Sequence, residues 1–167
     1  TETRANQHLQ TLKSILNQVI SNPEKSHTSI SLLSPESYDQ IVYQWNETTN
    51  AWNQMGGDID GQSAGSSAGF STSIISDGNI VAVGSPNHNG IGQVKVYMWN
   101  VDAGSWGQLG LTLDGVPTDE QFGYSIGLND DGDILAIGSK GNCQKGHNAG
   151  HTRIYEWDET TNTWKQK

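Results

Sequence analysis

Apolar and polar positions follow a repeating order along the chain, which is clearest between residues 69 and 111. There the segment Ile80–Val83 is a continuous apolar run, whereas Gln93–Asn100 alternates so that Tyr97 and Trp99 fall on one face and Val96 and Met98 on the other. An unbroken apolar run indicates a strand buried on both faces, and alternation indicates a strand with two unlike faces. Asp77-Gly78 is a typical hairpin turn. The region therefore predicts four antiparallel strands, at about 69–76, 79–85, 93–100 and 105–111.

The same order occurs more than once. Gly69–Ser85 and Gly123–Ser139 align without a gap, and eight of their seventeen positions are identical. A Tyr-x-Trp block occurs three times, each time with a second Trp seven residues after the first. Four-stranded units at this period are typical of β-propeller blades. The structural repeat positions are Tyr43, Trp45, Trp52, Tyr97, Trp99, Trp106, Tyr155, Trp157 and Trp164.

Three segments carry a resemblance to a known family: Phe122-Gly-Tyr-Ser125, Asp131–Ser139 and Ile154-Tyr-Glu-Trp157. Their order resembles the FG-GAP type of β-propeller repeat, in the Trp-rich form found in tandem in large secreted or surface proteins. The central copy departs from it, with Ala68-Gly69 in place of the Phe-Gly pair. The resemblance covers about 41–167 and implies the fold. Such propellers host many functions, so it does not specify a role.

We therefore expect an all-β chain forming a partial β-propeller of about 2.5 four-stranded blades. The predicted units are a half blade at 41–56, a blade at 69–111 and an incomplete blade at 122–167. Closed propellers have ~4–8 blades. The chain is then a piece of a longer tandem protein, or it assembles with other chains, or it is an open stack capped by something else. A protein partner, further copies or further blades would complete the propeller.

The first 40 residues have a different pattern. Ala5, Leu9, Leu12, Leu16 and Val19 are spaced 4, 3, 4 and 3 residues apart, which predicts an N-terminal amphipathic α-helix over 1–22. Such a helix would pack on the blades or a neighbouring chain, or form a coiled coil. Residues 23–40 are either a linker or a degenerate blade strand, because Ile30–Pro35 is similar to Val81–Pro86.

Charge and composition change the expected partners. The net charge is −9 and the chain has one cysteine. An acidic chain repels phosphate, so we expect no nucleic-acid partner. There is no apolar run of the ~18 residues that a membrane span needs. The acidic, Asn- and Gly-rich composition suits an extracellular, cell-surface or organelle-lumen location, where the sequon at Asn46 would be a glycosylation site.

Candidate chemistry is sparse, so we expect no catalytic, metal or cofactor site. In the calcium loop of integrin-type FG-GAP propellers, this chain would place Gly127 and Leu135 where carboxylates are needed. Cys143, His147 and His151 have metal-like spacing, but they fall in a loop. Gly-x-Ser-x-Gly occurs at 65–69 and 123–127 without the following helix of a nucleophile elbow.

These patterns predict a protein that is not an enzyme but a structural or interaction module. Two alternatives remain. The first is a carbohydrate-binding propeller, in which the aromatic positions stack on sugar rings. The second is a calcium-dependent adhesion module. Against the first, a Trp that recurs once per blade is a natural filler between blades.

Overall fold

The structure, a computed structural model, describes residues 29–33, 40–116 and 121–167. The amphipathic helix predicted at 1–22 lies outside these residues. Within them every regular element is a strand apart from a single 3-10 turn at His88–Gly90, so the all-β prediction is confirmed for this part of the chain. No helix in the described ranges has the length and apolarity needed to cross a bilayer.

The strands form three antiparallel sheets in chain order. The first sheet contains β1 (Ser29–Leu33), β2 (Gln40–Asn46) and β3 (Ala51–Gln54). The second contains β4 (Ser71–Ile74), β5 (Ile80–Ser85), β6 (Gln93–Asn100), β7 (Ser105–Gln108) and the short β8 (Leu113–Asp114). The third contains β9 (Phe122–Leu128), β10 (Ile134–Ser139), β11 (His151–Asp158) and β12 (Thr163–Gln166).

The first sheet extends further towards the N-terminus than the half blade predicted at 41–56. Residues 29–33 form β1, which pairs with β2 so that Ile30 lies opposite Tyr43. In the second sheet Val81 of β5 lies opposite Tyr97 of β6 in the same way. The register explains the similarity between Ile30–Pro35 and Val81–Pro86. The first sheet therefore has three described strands instead of two.

Turn chemistry sets the strand ends. Gly78 and Gly132 have φ of 78° and 73°, and the amide of each closes a turn onto the carbonyl three residues earlier. These turns join the first and second long strands of the second and third sheets. Glycine reaches this left-handed conformation without the steric cost that other residues carry. The two Asp-Gly pairs thus form the predicted hairpins.

The core lies between the sheets. On β5, Val81 and Val83 face the first sheet, where they cluster with Val42 and Ile59. Ala82, from the other face of β5, belongs to the cluster shared with the third sheet. That cluster also contains Val94, Val96, Phe122, Leu135, Ile137, Tyr155 and Trp164. The apolar run in β5 is therefore explained by a sheet that is covered on both faces.

Candidate interaction surfaces

The six tryptophans form three cross-strand pairs, one pair in each sheet. The partners are directly opposite each other on the last two long strands, and their ring centroids are 5.3–5.4 Å apart. Edge-to-face and tilted geometries of this kind are favourable for aromatic pairs. The seven-residue spacing is the distance along the chain that a short hairpin needs to bring the two rings together. The pairs are Trp45–Trp52, Trp99–Trp106 and Trp157–Trp164.

The second tryptophan of a pair hydrogen-bonds to the preceding sheet. The indole Nε1–H of Trp106 donates to the Met55 carbonyl oxygen at 2.9 Å. Trp164 donates in the same way to the Leu109 carbonyl oxygen at 3.2 Å. Met55 and Leu109 each follow the last long strand of their sheet. We call this contact, Trp106 to Met55 and Trp164 to Leu109, the indole–carbonyl contact.

In the second and third sheets, the first tryptophan of the pair packs on a glycine of the preceding sheet, the one that directly follows Met55 or Leu109. A Cβ atom built on Gly56 would lie 2.8 Å from Trp99 Cζ3, and one built on Gly110 would lie 2.6 Å from Trp157 Cζ3. Both glycines have positive φ, 68° and 76°. Only a residue without a side chain leaves room for the indole ring here. The contact between the first and second sheets and the contact between the second and third sheets therefore have the same two components. These are the indole–carbonyl contact and an indole ring packed on a glycine.

The three tyrosine positions differ in burial. Tyr43 and Tyr97 are half-buried, whereas Tyr155 is buried and makes an edge contact with Phe122 at 6.3 Å between centroids. Burial between the first and second sheets raises the pKa of the Tyr97 phenol, because a dry environment disfavours the phenolate.

The two ends of the stack present faces that the inner sheets bury. Trp45 and Trp52 of the first sheet are 37% and 39% exposed, whereas Trp164 is 7% exposed. Ile154 of the third sheet is 37% exposed, whereas Val96, which follows the same backbone pattern in the second sheet, is 2% exposed. Both open faces therefore retain apolar groups.

A cavity of about 420 Å³ lies where loops of the second and third sheets meet. Its described lining includes the amide side chains of Asn87, Gln121 and Asn148 and the cation of Lys140. The Lys140 ammonium also lies 4.8 Å from the centroid of Tyr124, whose ring packs on the 46%-exposed Phe70. We call Phe70, Tyr124 and Lys140 the aromatic–lysine cluster. The sequence patterns did not indicate this surface.

The loop considered for calcium closes on itself. Asn129 Oδ1 accepts hydrogen bonds from the backbone amides of Asp133 and Ile134 at 3.1 and 2.8 Å. Leu135, at the last ligand position, is fully buried in the core. Among the described residues, no group of three or more His, Cys, Asp or Glu side chains is placed to hold a metal ion, and Cys143, His147 and His151 form no such group.

Ser67 is the serine of the first Gly-x-Ser-x-Gly segment. Its φ is 55°, and its hydroxyl accepts a hydrogen bond from Asn87 Nδ2 at 2.9 Å. An amide cannot act as the general base that a nucleophilic serine needs. This contact instead ties the loop before β4 to the loop after β5.

The sequon residue lies in a turn that recurs in each sheet. Asn46 Oδ1 accepts hydrogen bonds from the amides of Thr48 and Thr49. Asn100 accepts one from the amide of Ala103, and Asp158 accepts two from Thr160 and Thr161. Side chains of Asn and Asp commonly close turns in this way. These turns link the two strands that carry each tryptophan pair.

Comparison with known proteins places the fold. No protein-family model matches the sequence, and no curated protein matches it. The chain is similar in structure to a candidate 6-phosphogluconolactonase from Bacteroides uniformis, with a TM-score of 0.55 and 11% identity over 84% of this chain and 36% of that one.

Two further solved structures show a weaker similarity. One is the β-propeller domain of the Trilobed protease from Pyrococcus furiosus, with a TM-score of 0.43 and 15% identity over 83% of this chain and 38% of that one. The other is an acylaminoacyl peptidase, with a TM-score of 0.44 and 14% identity over 86% and 24%. The chain spans between about a quarter and two fifths of the length of these three proteins. The three consecutive antiparallel sheets of the described residues give this chain a β-propeller-like fold.

The prediction that the chain is not an enzyme is corrected by these comparisons. The similar structure with a TM-score above 0.5 is a candidate lactonase. Because a similar fold occurs in a protein that bears the name of an enzyme, neither the fold nor the sparse motifs exclude catalysis. Local motifs such as a nucleophile elbow are one source of catalytic residues, but active sites also form from residues distant in sequence.

Proposed function

We propose that this chain supplies consecutive blades to a β-propeller that acts as an interaction module. The observation that carries the proposal is the indole–carbonyl contact, which joins the first sheet to the second and the second to the third. Repeated sheets that contact only their neighbours leave unfinished faces at both ends of the stack. Trp52 at one end and Ile154 at the other are the exposed groups that a further blade would cover.

We also propose that the blades are FG-GAP-like repeats and that the chain belongs to an extracellular, cell-surface or lumenal assembly. The order of the segments at 122–125, 131–139 and 154–157 supports FG-GAP-like repeats, in which residues 41–167 are tandem blades and the nine aromatic positions are filler between them. An extracellular, cell-surface or lumenal assembly suits the acidic composition and the turn at Asn46, whose side chain would carry a glycan. The net charge of −9 argues against a nucleic-acid partner.

Crosslinking of the native particle tests this proposal. Lys165 and Lys167 are exposed on the last strand of the third sheet and beyond it. We expect amine-reactive crosslinks from these lysines to residues of another blade, in another chain or in a longer form of this one. Lys145, in the long loop after β10, is the comparison site. A native particle of 18.1 kDa with crosslinks confined to residues 1–167 would contradict the proposal.

A second candidate, carbohydrate binding, is favoured by one observation. Lys140 of the aromatic–lysine cluster lines the cavity together with three amide residues, and Phe70 of the same cluster is 46% exposed. Pockets that place a few polar groups beside aromatic surface are typical of small-ligand sites. The tryptophans are less suited to this role than expected, because Trp106 and Trp164 donate their indole N–H groups to neighbouring sheets.

A glycan array tests the second candidate. We expect a specific signal that is lost in Phe70→Ala, which removes the exposed ring. Val101→Ala, at an 80%-exposed site in the turn after β6, is the matched control and should bind as the wild type does. Absence of any signal above background, or equal signals from the two variants, would contradict carbohydrate binding at this cluster.

A further inference from the structure

We infer that two copies of this chain associate head to tail, with the outer face of the third sheet of one copy packed on the first sheet of the other. The inference rests on the proposed function and names the partner as a second copy. The new contact would continue the two contacts already present within the chain.

The hydrogen-bond donor at one end is Trp52. Its indole N–H has no acceptor among the described residues, whereas Trp106 and Trp164 each donate to a carbonyl oxygen of the preceding sheet. Trp52 is opposite Trp45 as Trp106 is opposite Trp99, so its ring has the same position in its own sheet. The first sheet thus presents the donor half of an indole–carbonyl contact.

The acceptor at the other end is the Lys167 carbonyl oxygen. The carbonyl oxygens of Met55 and Leu109 accept the indole hydrogen bonds. The backbone amides of the same two residues donate to the carbonyl oxygens of Val42 and Val96, each at 2.8 Å. In the same way, the backbone amide of Lys167 donates to the carbonyl oxygen of Ile154 at 2.9 Å. The Lys167 carbonyl therefore has the backbone position of the two acceptors. The third sheet presents the other half of the contact.

The burial of matching apolar residues also differs between the inner and outer faces of the stack. Val42 and Val96 are 1% and 2% exposed because the following sheet covers them, whereas Ile154 is 37% exposed. Ala82 is fully buried, but Ala136, the matching residue of β10, is half-buried. Covering Ile154 and Ala136 with the first sheet of a second copy would reproduce this burial.

The count of sheets favours two copies. One copy provides three sheets in its described residues, and two copies provide six. Propellers close with ~4–8 blades, so six lie within the usual range. A head-to-tail contact closes when its rotation completes a circle. Two copies joined by two identical contacts would then cover the outer faces of both the first and the third sheet of each copy's described residues.

Sedimentation equilibrium of the purified chain tests the inference. We expect a mass of twice 18.1 kDa for the wild type. The dissociation constant should fall as the salt concentration rises, because salt screens the repulsion between two chains that each carry a net charge of −9. Trp52→Ala and Ile154→Glu should each raise the dissociation constant by about tenfold or more, as loss of a central contact does. Val101→Glu, at an 80%-exposed site in the turn after β6 of the middle sheet, should leave it unchanged. Near-UV circular dichroism identifies any variant that has lost its fold.

Mixing the two interface variants gives a further test. A Trp52→Ala copy retains a native third sheet, and an Ile154→Glu copy retains a native first sheet. The mixture therefore contains one fully native contact and should recover association that neither variant shows alone. A wild type that is monomeric at all salt concentrations, or a dimer that both variants leave intact, would overturn the inference.

The outcomes also separate this inference from the proposed function. A monomeric purified chain, found in a native particle heavier than one chain, would overturn the second-copy inference and support blades from another source. A native particle that contains a single 18.1 kDa chain would overturn both.

Discussion

Gly110 shows how one residue controls the contact between two sheets. Its φ is 76°, and a Cβ atom there would lie 2.6 Å from Trp157 and 3.2 Å from Trp164. Alanine would introduce both backbone strain and a clash with two packed rings. We expect Gly110→Ala to lower the free energy of unfolding by about 2–4 kcal/mol, measured by urea denaturation.

Gly104 provides the matched control. Its φ is 59°, so alanine meets a similar backbone penalty, but no atom lies within 4 Å of the added Cβ. Gly104→Ala should cost about 1 kcal/mol. The difference between the two variants measures the tryptophan packing. Equal costs would show that the indole rings move aside freely and that the contact has little energetic weight.

At the scale of the strand and turn, Asp158 differs from its counterparts. The turn that follows β2 or β6 is closed by Asn46 or Asn100, but Asp158 also forms an ion pair with Lys165. The hydrogen bond from Lys165 lowers the pKa of Asp158 to about 2. A lowered pKa means that the folded state favours the carboxylate, so the contribution to stability is present above pH ~4 and is lost as the pH falls towards 2.

Asp158→Asn should remove this pH dependence while keeping the turn, because asparagine accepts the same backbone hydrogen bonds at position 46. We expect the wild type to be the more stable protein at pH 6, with a difference that shrinks as the pH falls from 4 to 2. Urea denaturation across this range measures it. Lys165→Met keeps the carboxylate and should shift the titration upwards. A pH-independent difference would contradict the assignment.

The sequence predicted the long strands well and the short elements poorly. The Tyr-x-Trp blocks fixed the pairing of β2 with β3, β6 with β7 and β11 with β12, because alternation and the turn residues both specify it. The two-residue strand β8 and the parallel bridge between Gly92 and Phe122 were missed. Two residues have no measurable period, and a single bridge depends on how the sheets pack.

The cavity and the aromatic–lysine cluster were missed for a related reason. Phe70 and Tyr124 are 54 positions apart in the sequence, and each lies near the start of a segment that has the pattern of an ordinary strand. They meet only because β4 and β9 begin at the same side of neighbouring sheets. Contacts of this kind follow from the relative placement of sheets, which a pattern within one strand does not contain.

At the scale of the whole molecule, three sheets contact one another in a row. The interface between the second and third sheets contains Leu135 and Ile137, both fully buried, while the first sheet contacts the second through a separate cluster. Stability in such an arrangement is a sum of sheet and interface contributions. A defect at the interface between the second and third sheets should therefore weaken the third sheet more than it weakens the first.

Leu135→Ala tests this expectation. Removing a fully buried leucine costs about 2–5 kcal/mol. Amide hydrogen exchange should become faster in β9–β12, while amides in β2 and β3 keep most of their protection. Leu111→Ala, at a 74%-exposed site, should change neither region. Uniform loss of protection across all three sheets would show a single cooperative unit, in which the first sheet depends on the third as strongly as on its immediate neighbour.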